Sequence, residues 1–139
     1  MMRYVFDSYA MLAYYWREPG ASRVHQLVTN PSHERLMTVV NVTEVFYRVA
    51  REEDLKAARN SVEWIRKLRV DIIDADLDLA IGAAHIKAEY SLSLADCFAA
   101  ALAERLDAVV VTGDKEFEPL EEDGIVSIEW LPAKPRRRR

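Results

Sequence analysis

The sequence contains one cysteine and only four glycines. A lone cysteine cannot form an internal disulfide or a cysteine-rich metal cluster, which is typical of proteins in a reducing compartment. We therefore expect Cys97 to be a small buried residue on a helix. The glycines form neither a phosphate-binding loop nor a dinucleotide fingerprint, so the sequence argues against a nucleotide cofactor.

Histidine is also scarce. His25, His33 and His85 lie far apart, without the spacing of metal ligands and without a nearby nucleophile motif. This excludes an argument for Ser-His-Asp catalysis, and we expect all three to be surface or half-buried residues.

Long apolar runs are missing as well. Charges interrupt each longer hydrophobic stretch, and the first residues do not resemble a signal peptide, so we expect a soluble cytoplasmic protein outside the membrane. The 139 residues, 50% of them hydrophobic, suffice for one domain with a sizeable core. We expect that domain to span residues 1–132, followed by a basic tail at 133–139.

The charge is unevenly distributed along the chain. Five of the 19 basic residues lie in the last six positions, so the residues before them carry 14 basic and 23 acidic groups, a net charge of −9. Such an acidic body repels nucleic acid unless cations intervene or its basic residues are segregated onto one face. The tail is either an electrostatic arm for RNA or a solvated terminus.

Strand-like and helix-like segments alternate along the chain. Runs rich in Val, Ile and aromatic residues predict strands at 3–7, 35–40, 69–73, 108–112 and 126–130. Amphipathic or alanine-rich segments predict helices at 8–16, 21–29, 42–51, 54–68, 77–89, 94–106 and 115–122. Because helices separate the strands, we expect a three-layer α/β/α sandwich with a roughly five-stranded parallel sheet. Ligands of such sheets bind beyond the carboxyl ends of the strands.

Four acidic residues fall near that edge: Asp7, Glu44, Asp96 and Asp114. Each also has an ordinary structural explanation, because Asp7 and Asp114 can cap the helices that follow them. Asn41 to Glu44 and Ser93 to Asp96 match the spacing of a capping box, which would place Glu44 and Asp96 in first helical turns.

Together, the four carboxylates predict more than capping. Carboxylates in one small space repel each other unless protons or a cation separate them. Without neighbouring Cys or His ligands, such a cluster favours Mg²⁺ or Mn²⁺. A divalent cation suits phosphodiester hydrolysis, because it activates water and offsets charge in the transition state.

The same residues carry a family resemblance. The segments YVFDSYAMLAYY, NVTEVFYRV, LSLADCFAAALAERLDAVVVTGDKEF and VSIEWL, over residues 3–131, resemble the successive motifs of PIN-domain proteins, especially the VapC-type toxins of toxin–antitoxin pairs. The resemblance implies a five-stranded parallel α/β/α fold. It also implies a Mg²⁺- or Mn²⁺-dependent endoribonuclease that leaves 5′-phosphate and 3′-hydroxyl ends.

Carried over residue by residue, the resemblance implies that Asp7, Glu44, Asp96 and Asp114 form the catalytic and metal-binding quartet. The resemblance implies that Thr112 supplies a supporting hydroxyl beside the quartet. Ser8 and Asn41 match polar neighbours that would orient carboxylates or waters. Glu116 lies where many family members have a further acidic residue.

The resemblance also implies two protein partners, a VapB-type antitoxin and a second copy of the chain. Helices near the N-terminus would form the antitoxin groove. Adjacent aromatic side chains on these helices are more than one helix face can bury. They indicate either an ordinary core with scattered aromatic rings at the surface or a groove that binds the antitoxin. Arg48 and Arg51, one turn apart near Glu44, are either RNA-phosphate contacts or solvated helix charges.

Two alternative functions remain. A receiver-like phosphoacceptor domain also collects acidic residues, a threonine and a lysine at the carboxyl edge of a parallel sheet, with Asp74 or Asp76 as acceptor. Against it, the first strand is followed by Asp7 and Ser8 rather than by paired acids. The other alternative is a non-catalytic PIN-like module that binds RNA or protein.

Overall fold

The computed structural model describes residues 2–133, so residues 134–139 of the predicted tail lie outside the described residues. The strands are β1 (Arg3–Phe6), β2 (Glu34–Thr38), β3 (Asp71–Ile73), β4 (Val109–Thr112) and β5 (Ser127–Trp130). The helices are α1 (Ser8–Tyr15), α2 (Ala21–Val28), α3 (Val39–Glu52), α4 (Leu55–Lys67), α5 (Leu77–Glu89), α6 (Leu94–Leu106) and α7 (Glu118–Glu122), with a 3-10 turn at Lys115–Phe117 before α7.

The five strands form one parallel sheet in the order β3-β2-β1-β4-β5. Alternate residues of the central strands enter two cores. Val5 and Val110 pack in the core that includes α5 and α6, whereas Phe6 and Val111 pack in the core that includes α1 to α4. The predicted three-layer α/β/α sandwich is therefore confirmed, with β1 and β4 covered on both faces.

The boundary between β2 and α3 differs from the prediction. The β-branched residues Val39 and Val40 suggested a strand to residue 40, but β2 ends at Thr38, whose side chain accepts from the Asn41 amide and caps α3. This cap outweighs the β propensity of the two valines. The predicted capping box from Asn41 to Glu44 is therefore wrong, and Glu44 lies in the second turn of α3.

Smaller corrections concern the outer helices. The predicted helix at 115–122 is split into the 3-10 turn and α7. In α4, three- and four-residue spacing of apolar residues predicts one buried stripe; Ala58 and Ile65 are buried accordingly, but Leu55 at the first position is exposed. Cys97 is buried on α6, as expected. Within residues 2–133, none of the helices combines the length and apolar character needed to cross a membrane.

Candidate active site

The site lies where the strand order changes direction. From β1, the chain builds β2 and β3 on one side, and later β4 and β5 on the other. Crossover helices leave such a switch point on opposite faces, which opens a cleft at the carboxyl ends of the two central strands. Asp7 directly follows β1, and Asp114 comes two residues after β4.

Asp7 is fully buried at the start of α1. Its Oδ1 accepts a hydrogen bond of 2.8 Å from the Ala10 amide, so the predicted capping role is confirmed. The other oxygen, Oδ2, is buried and has no hydrogen-bond partner within residues 2–133. A buried carboxylate oxygen without a donor is costly, which makes this atom available to a cation or a proton.

The pKa of Asp7 reflects this environment. Burial raises it from 3.8 to about 7, and the charges of Asp114 and Glu44 act in the same direction. The Thr112 hydroxyl and the Ala10 amide act in the opposite direction. Without a nearby positive charge to balance the carboxylate, Asp7 therefore keeps a proton near neutral pH.

Asp96 faces the same electrostatic problem. It lies in the first turn of α6, where the Ser93 side chain caps the helix by accepting from the Asp96 amide at 3.3 Å. Burial raises the pKa of Asp96 well above its ordinary value, and the charges of Asp7 and Asp114 raise it further. The two buried aspartates thus belong to one interacting group of acids.

Three residues bring carboxylate oxygens close enough to share one cation. Oxygens of Asp96, Asp114 and Glu116 lie within 4.8 Å of one another. Asp114 accepts from the Glu116 amide at 3.0 Å, while Thr112 Oγ1 accepts from the Asp114 amide at 3.0 Å. Thr112 and Asp114 therefore hold the turn that carries both acids.

Glu44 approaches from α3. Its carboxylate accepts hydrogen bonds from Ser8 Oγ and, at 3.4 Å, from the Tyr47 hydroxyl. The structure thus places Ser8 as a direct partner of a predicted site residue. The Tyr47 contact was not predicted, although a tyrosine three residues along a helix lies on the same face as Glu44.

Asn41 connects α3 with α6. Its side-chain amide donates to the Ala95 carbonyl at 3.3 Å, and its Oδ1 accepts from the Thr38 hydroxyl at 2.5 Å. The residue is fully buried. It therefore holds the backbone immediately before Asp96 rather than facing the cleft, a positioning role compatible with the predicted one.

These residues surround a cleft of about 190 Å³. The cleft is lined by Ser8, Tyr9, Glu44, Arg48, Ser93, Asp96, Asp114 and Glu116. Three members of the predicted quartet are therefore in the lining, whereas Asp7 and Thr112 are buried behind it. Of the two predicted RNA-binding arginines, the lining contains Arg48 but not Arg51.

Tyr9 and Ser93 were not predicted as site residues. A Cβ atom added at Gly113 would lie 2.4 Å from the Tyr9 ring, so the ring occupies the space that the glycine leaves beside the β4 loop. The Thr-Gly-Asp sequence carries that signal, but the sequence does not show which ring fills the space.

A family model described as the PIN domain matches residues 4–122. The chain belongs to the PIN-domain family. Among solved structures similar to this PIN domain is VapBC2 from Rickettsia felis bound to a promoter DNA fragment, with a TM-score of 0.74, 14% identity, and coverage of 94% of this chain and 100% of that chain. DNA-bound VapBC from Salmonella typhimurium gives a TM-score of 0.71 and 20% identity, covering 93% and 98% of the two chains.

A third similar structure is VapC20 from Mycobacterium tuberculosis, a toxin that cleaves the sarcin-ricin loop. Its TM-score is 0.71 at 14% identity, and the alignment covers 94% of this chain and 99% of that one. At these identities the similarity concerns the fold. No protein of curated function matches the sequence.

The receiver-like alternative loses its structural basis. Asp74 and Asp76 follow β3, an edge strand two positions from β1, so they lie away from the switch point. Asp76 instead caps α5 by accepting from the Leu79 amide at 2.8 Å, and it pairs with Arg105 at 3.4 Å.

Proposed function

We propose that this PIN domain is a Mg²⁺- or Mn²⁺-dependent endoribonuclease and the toxin of a VapBC-type pair. The observation that carries the proposal is the acidic group of Asp96, Asp114 and Glu116, beside the buried Asp7 with its unbonded Oδ2. Membership of the PIN family and the fold shared with VapC structures support the same function.

The residues present fit a hard divalent cation. The donor set is entirely carboxylate oxygen, which Mg²⁺ and Mn²⁺ accept, and Cys97 is the nearest soft ligand in sequence but is buried in the core. Asp96, Asp114 and Glu116 would hold the ion together with Asp7, and Glu44 would complete the site from α3. When bound, the ion would supply positive charge for activating water and for stabilising the phosphoryl transition state.

The chain's own groups then have defined tasks. Ser8 and Tyr47 orient the Glu44 carboxylate, and Thr112 holds the turn that carries Asp114. Asn41 holds the backbone before Asp96. These contacts keep like-charged groups in place before RNA binds, so that little reorganisation is needed during hydrolysis to 5′-phosphate and 3′-hydroxyl products.

RNA cleavage by the purified protein tests the nuclease. We expect structured RNAs to be cleaved with Mg²⁺ or Mn²⁺ but not with EDTA, and we expect Asp7→Asn and Asp96→Asn to lose activity. Glu104→Gln, an exposed change on α6, is the matched control and should cleave like wild type. Cleavage that survives EDTA or either aspartate substitution would contradict the proposal.

The toxin assignment has its own test. Expression of wild type should arrest growth, and Asp7→Asn should abolish that effect; equal toxicity of the two would count against a toxin that acts through this site. If neither protein is toxic although the wild type cleaves RNA, the chain is a nuclease of another role.

A homodimer is the other proposed assembly. Leu77 and Ile81, one turn apart on α5, and Leu94 at the start of α6 are large hydrophobic residues exposed by 75%, 51% and 56%. Leu77 and Ile81 form an exposed apolar pair on α5, whose start lies beside the end of α6 and therefore away from Leu94. This pair on α5 is the proposed interaction surface. Light scattering should give a dimer for wild type and a monomer for Leu77→Ser/Ile81→Ser; a monomeric wild type would contradict this assembly.

A further inference from the structure

A second cavity continues from the carboxylate cleft along α3. It measures about 340 Å³ and is lined by residues of that helix alone: Glu44, Tyr47, Arg48, Arg51 and Glu52. These positions recur at three- and four-residue steps, so they form one face of the helix. Glu44 and Arg48 line both cavities, which makes the second cavity a direct extension of the first.

Tyr47 is the aromatic surface of this extension. Its side chain is 40% exposed, and its ring is held at two points. The hydroxyl donates to Glu44 at 3.4 Å, and the Arg51 guanidinium lies 4.9 Å from the ring centre. An exposed ring held in one orientation beside a guanidinium is suited to stacking on a nucleobase.

The two arginines provide the positive charge. Neither Arg48 nor Arg51 forms an ion pair with a carboxylate within residues 2–133. At about 1.5 Å of rise per residue, Arg48 lies about 6 Å and Arg51 about 10 Å beyond Glu44 along the helix. An RNA strand that leaves the carboxylates along α3 would therefore meet a guanidinium at the first step, where it can bind phosphate through two donors.

We propose that Tyr47, Arg48 and Arg51 form a binding subsite for the nucleotide next to the cleaved phosphodiester, in a single-stranded segment of RNA. Arg48 binds the flanking phosphate, and the adjacent base stacks on the Tyr47 ring and its Arg51 neighbour. Unstacked bases of loops and single strands are the segments that aromatic and arginine side chains recognise. This subsite rests on the proposed nuclease function, because it orients RNA toward the same carboxylates.

Binding of a fluorescein-labelled, mixed-sequence, single-stranded RNA tests the subsite by fluorescence anisotropy. The parent protein is Asp96→Asn in Mg²⁺, which keeps the RNA intact. Tyr47→Leu in this parent should weaken binding roughly 5- to 100-fold, whereas Tyr47→Phe, which keeps the ring but not its bond to Glu44, should lose much less affinity than Tyr47→Leu. Arg51→Gln should also weaken binding.

Salt dependence identifies the phosphate contact. Arg48→Gln should lower the slope of log K against log salt concentration by about 0.7, the value for one phosphate of a single strand. Arg66→Gln is the matched control. Arg66 is exposed in the last turn of α4, which leads to the amino end of β3 and so lies away from the carboxylates. The Arg66→Gln substitution should leave both the affinity and the slope unchanged.

The subsite is overturned if Tyr47→Leu and Arg48→Gln bind like the parent, or if the parent does not bind this RNA. Failure of the nuclease proposal is a separate result. A wild type that does not cleave, but whose RNA binding requires Tyr47 and Arg48, keeps an RNA-binding surface on α3 and overturns both the enzyme and the placement of that surface beside a cleaved bond. A wild type whose KM for RNA is unchanged by Tyr47→Leu keeps the enzyme and loses the subsite.

Discussion

The Ser8 hydroxyl donates a hydrogen bond to the Glu44 carboxylate and so joins the first turn of α1 to the second turn of α3. The two residues are 36 positions apart in the sequence, and each belongs to a helix that begins at the carboxyl end of a strand. This bond sets the orientation of Glu44 relative to the aspartates at the switch point.

Removing that hydroxyl should loosen Glu44 without unfolding the domain. Groups that orient metal ligands typically contribute 10- to 100-fold to metal affinity, so we expect Ser8→Ala to weaken Mn²⁺ binding by about 10-fold. Isothermal titration calorimetry measures the change, with exposed Ser22→Ala on α2 as the control. Equal Mn²⁺ affinities for Ser8→Ala and wild type would show that the hydrogen bond does not support the site.

Protons should stabilise the metal-free protein. The folded pKa of Asp7 is about 7 against an ordinary value of 3.8, so between these values the folded state binds a proton that the unfolded state has released. The free energy of unfolding should therefore fall as pH rises from about 4 to about 7, by up to about 1.4 kcal/mol per pH unit for this group.

Urea unfolding in EDTA at several pH values measures this slope. Asp7→Asn should make the slope less steep, with the raised pKa of Asp96 accounting for the part that remains, while Asp78→Asn, an exposed change on α5, should keep it. An unchanged slope in Asp7→Asn would mean that the proton is held elsewhere. Saturating Mn²⁺ should reverse the trend, because the cation binds more strongly as the carboxylates lose their protons.

Gly113 and Tyr9 provide a steric prediction. A Cβ atom at position 113 would lie 2.4 Å from the Tyr9 ring, so Gly113→Ala must displace the ring or the β4 loop. We expect a loss of about 1–3 kcal/mol in the free energy of unfolding, together with weaker metal binding.

Gly82→Ala is the matched control. Its Cβ atom would meet Ala101 Cβ at 3.4 Å, and alanine is favoured inside a helix such as α5. Urea unfolding should therefore show little change or a gain of up to about 1 kcal/mol. A Gly113→Ala protein as stable as Gly82→Ala would contradict the close approach of Tyr9.

Asn41 should contribute to stability through its two side-chain hydrogen bonds. Asn41→Ala leaves the buried Thr38 hydroxyl and the Ala95 carbonyl without these partners, at a cost of about 1–3 kcal/mol. Chemical denaturation compares it with Asn60→Ala, an exposed change on α4. Similar unfolding midpoints for the two variants would indicate that solvent replaces both bonds.

Much of this site could be predicted because strand ends and helix starts are local features. Asp7 and Asp114 follow strand-like runs, and a parallel sheet brings such ends to one edge. Ser93 has the spacing of a cap for the helix that carries Asp96, and it does cap α6. The three-layer fold followed from the alternation of strands and helices.

Other parts depend on competition between local signals, or on packing, which the sequence pattern alone does not resolve. The valines after Thr38 have β propensity, yet the cap at Thr38 places them in α3 and moves Glu44 to the second turn. The closeness of Glu116 to Asp96 joins two segments 20 residues apart in the sequence, which a local pattern does not predict. The contact between Tyr47 and Glu44 depends on side-chain rotamers, which spacing alone does not determine.

The dependence of RNA cleavage rate on Mn²⁺ concentration shows whether the four carboxylates hold a catalytic cation. For wild type, we predict a rate that is zero in EDTA and saturates with Mn²⁺. Asp114→Asn should raise the half-saturating Mn²⁺ concentration by about 10-fold or more. Asp96→Asn should not cleave RNA at any Mn²⁺ concentration. Cleavage independent of Mn²⁺, or the same Mn²⁺ dependence in wild type and Asp114→Asn, would contradict an active site built on these carboxylates.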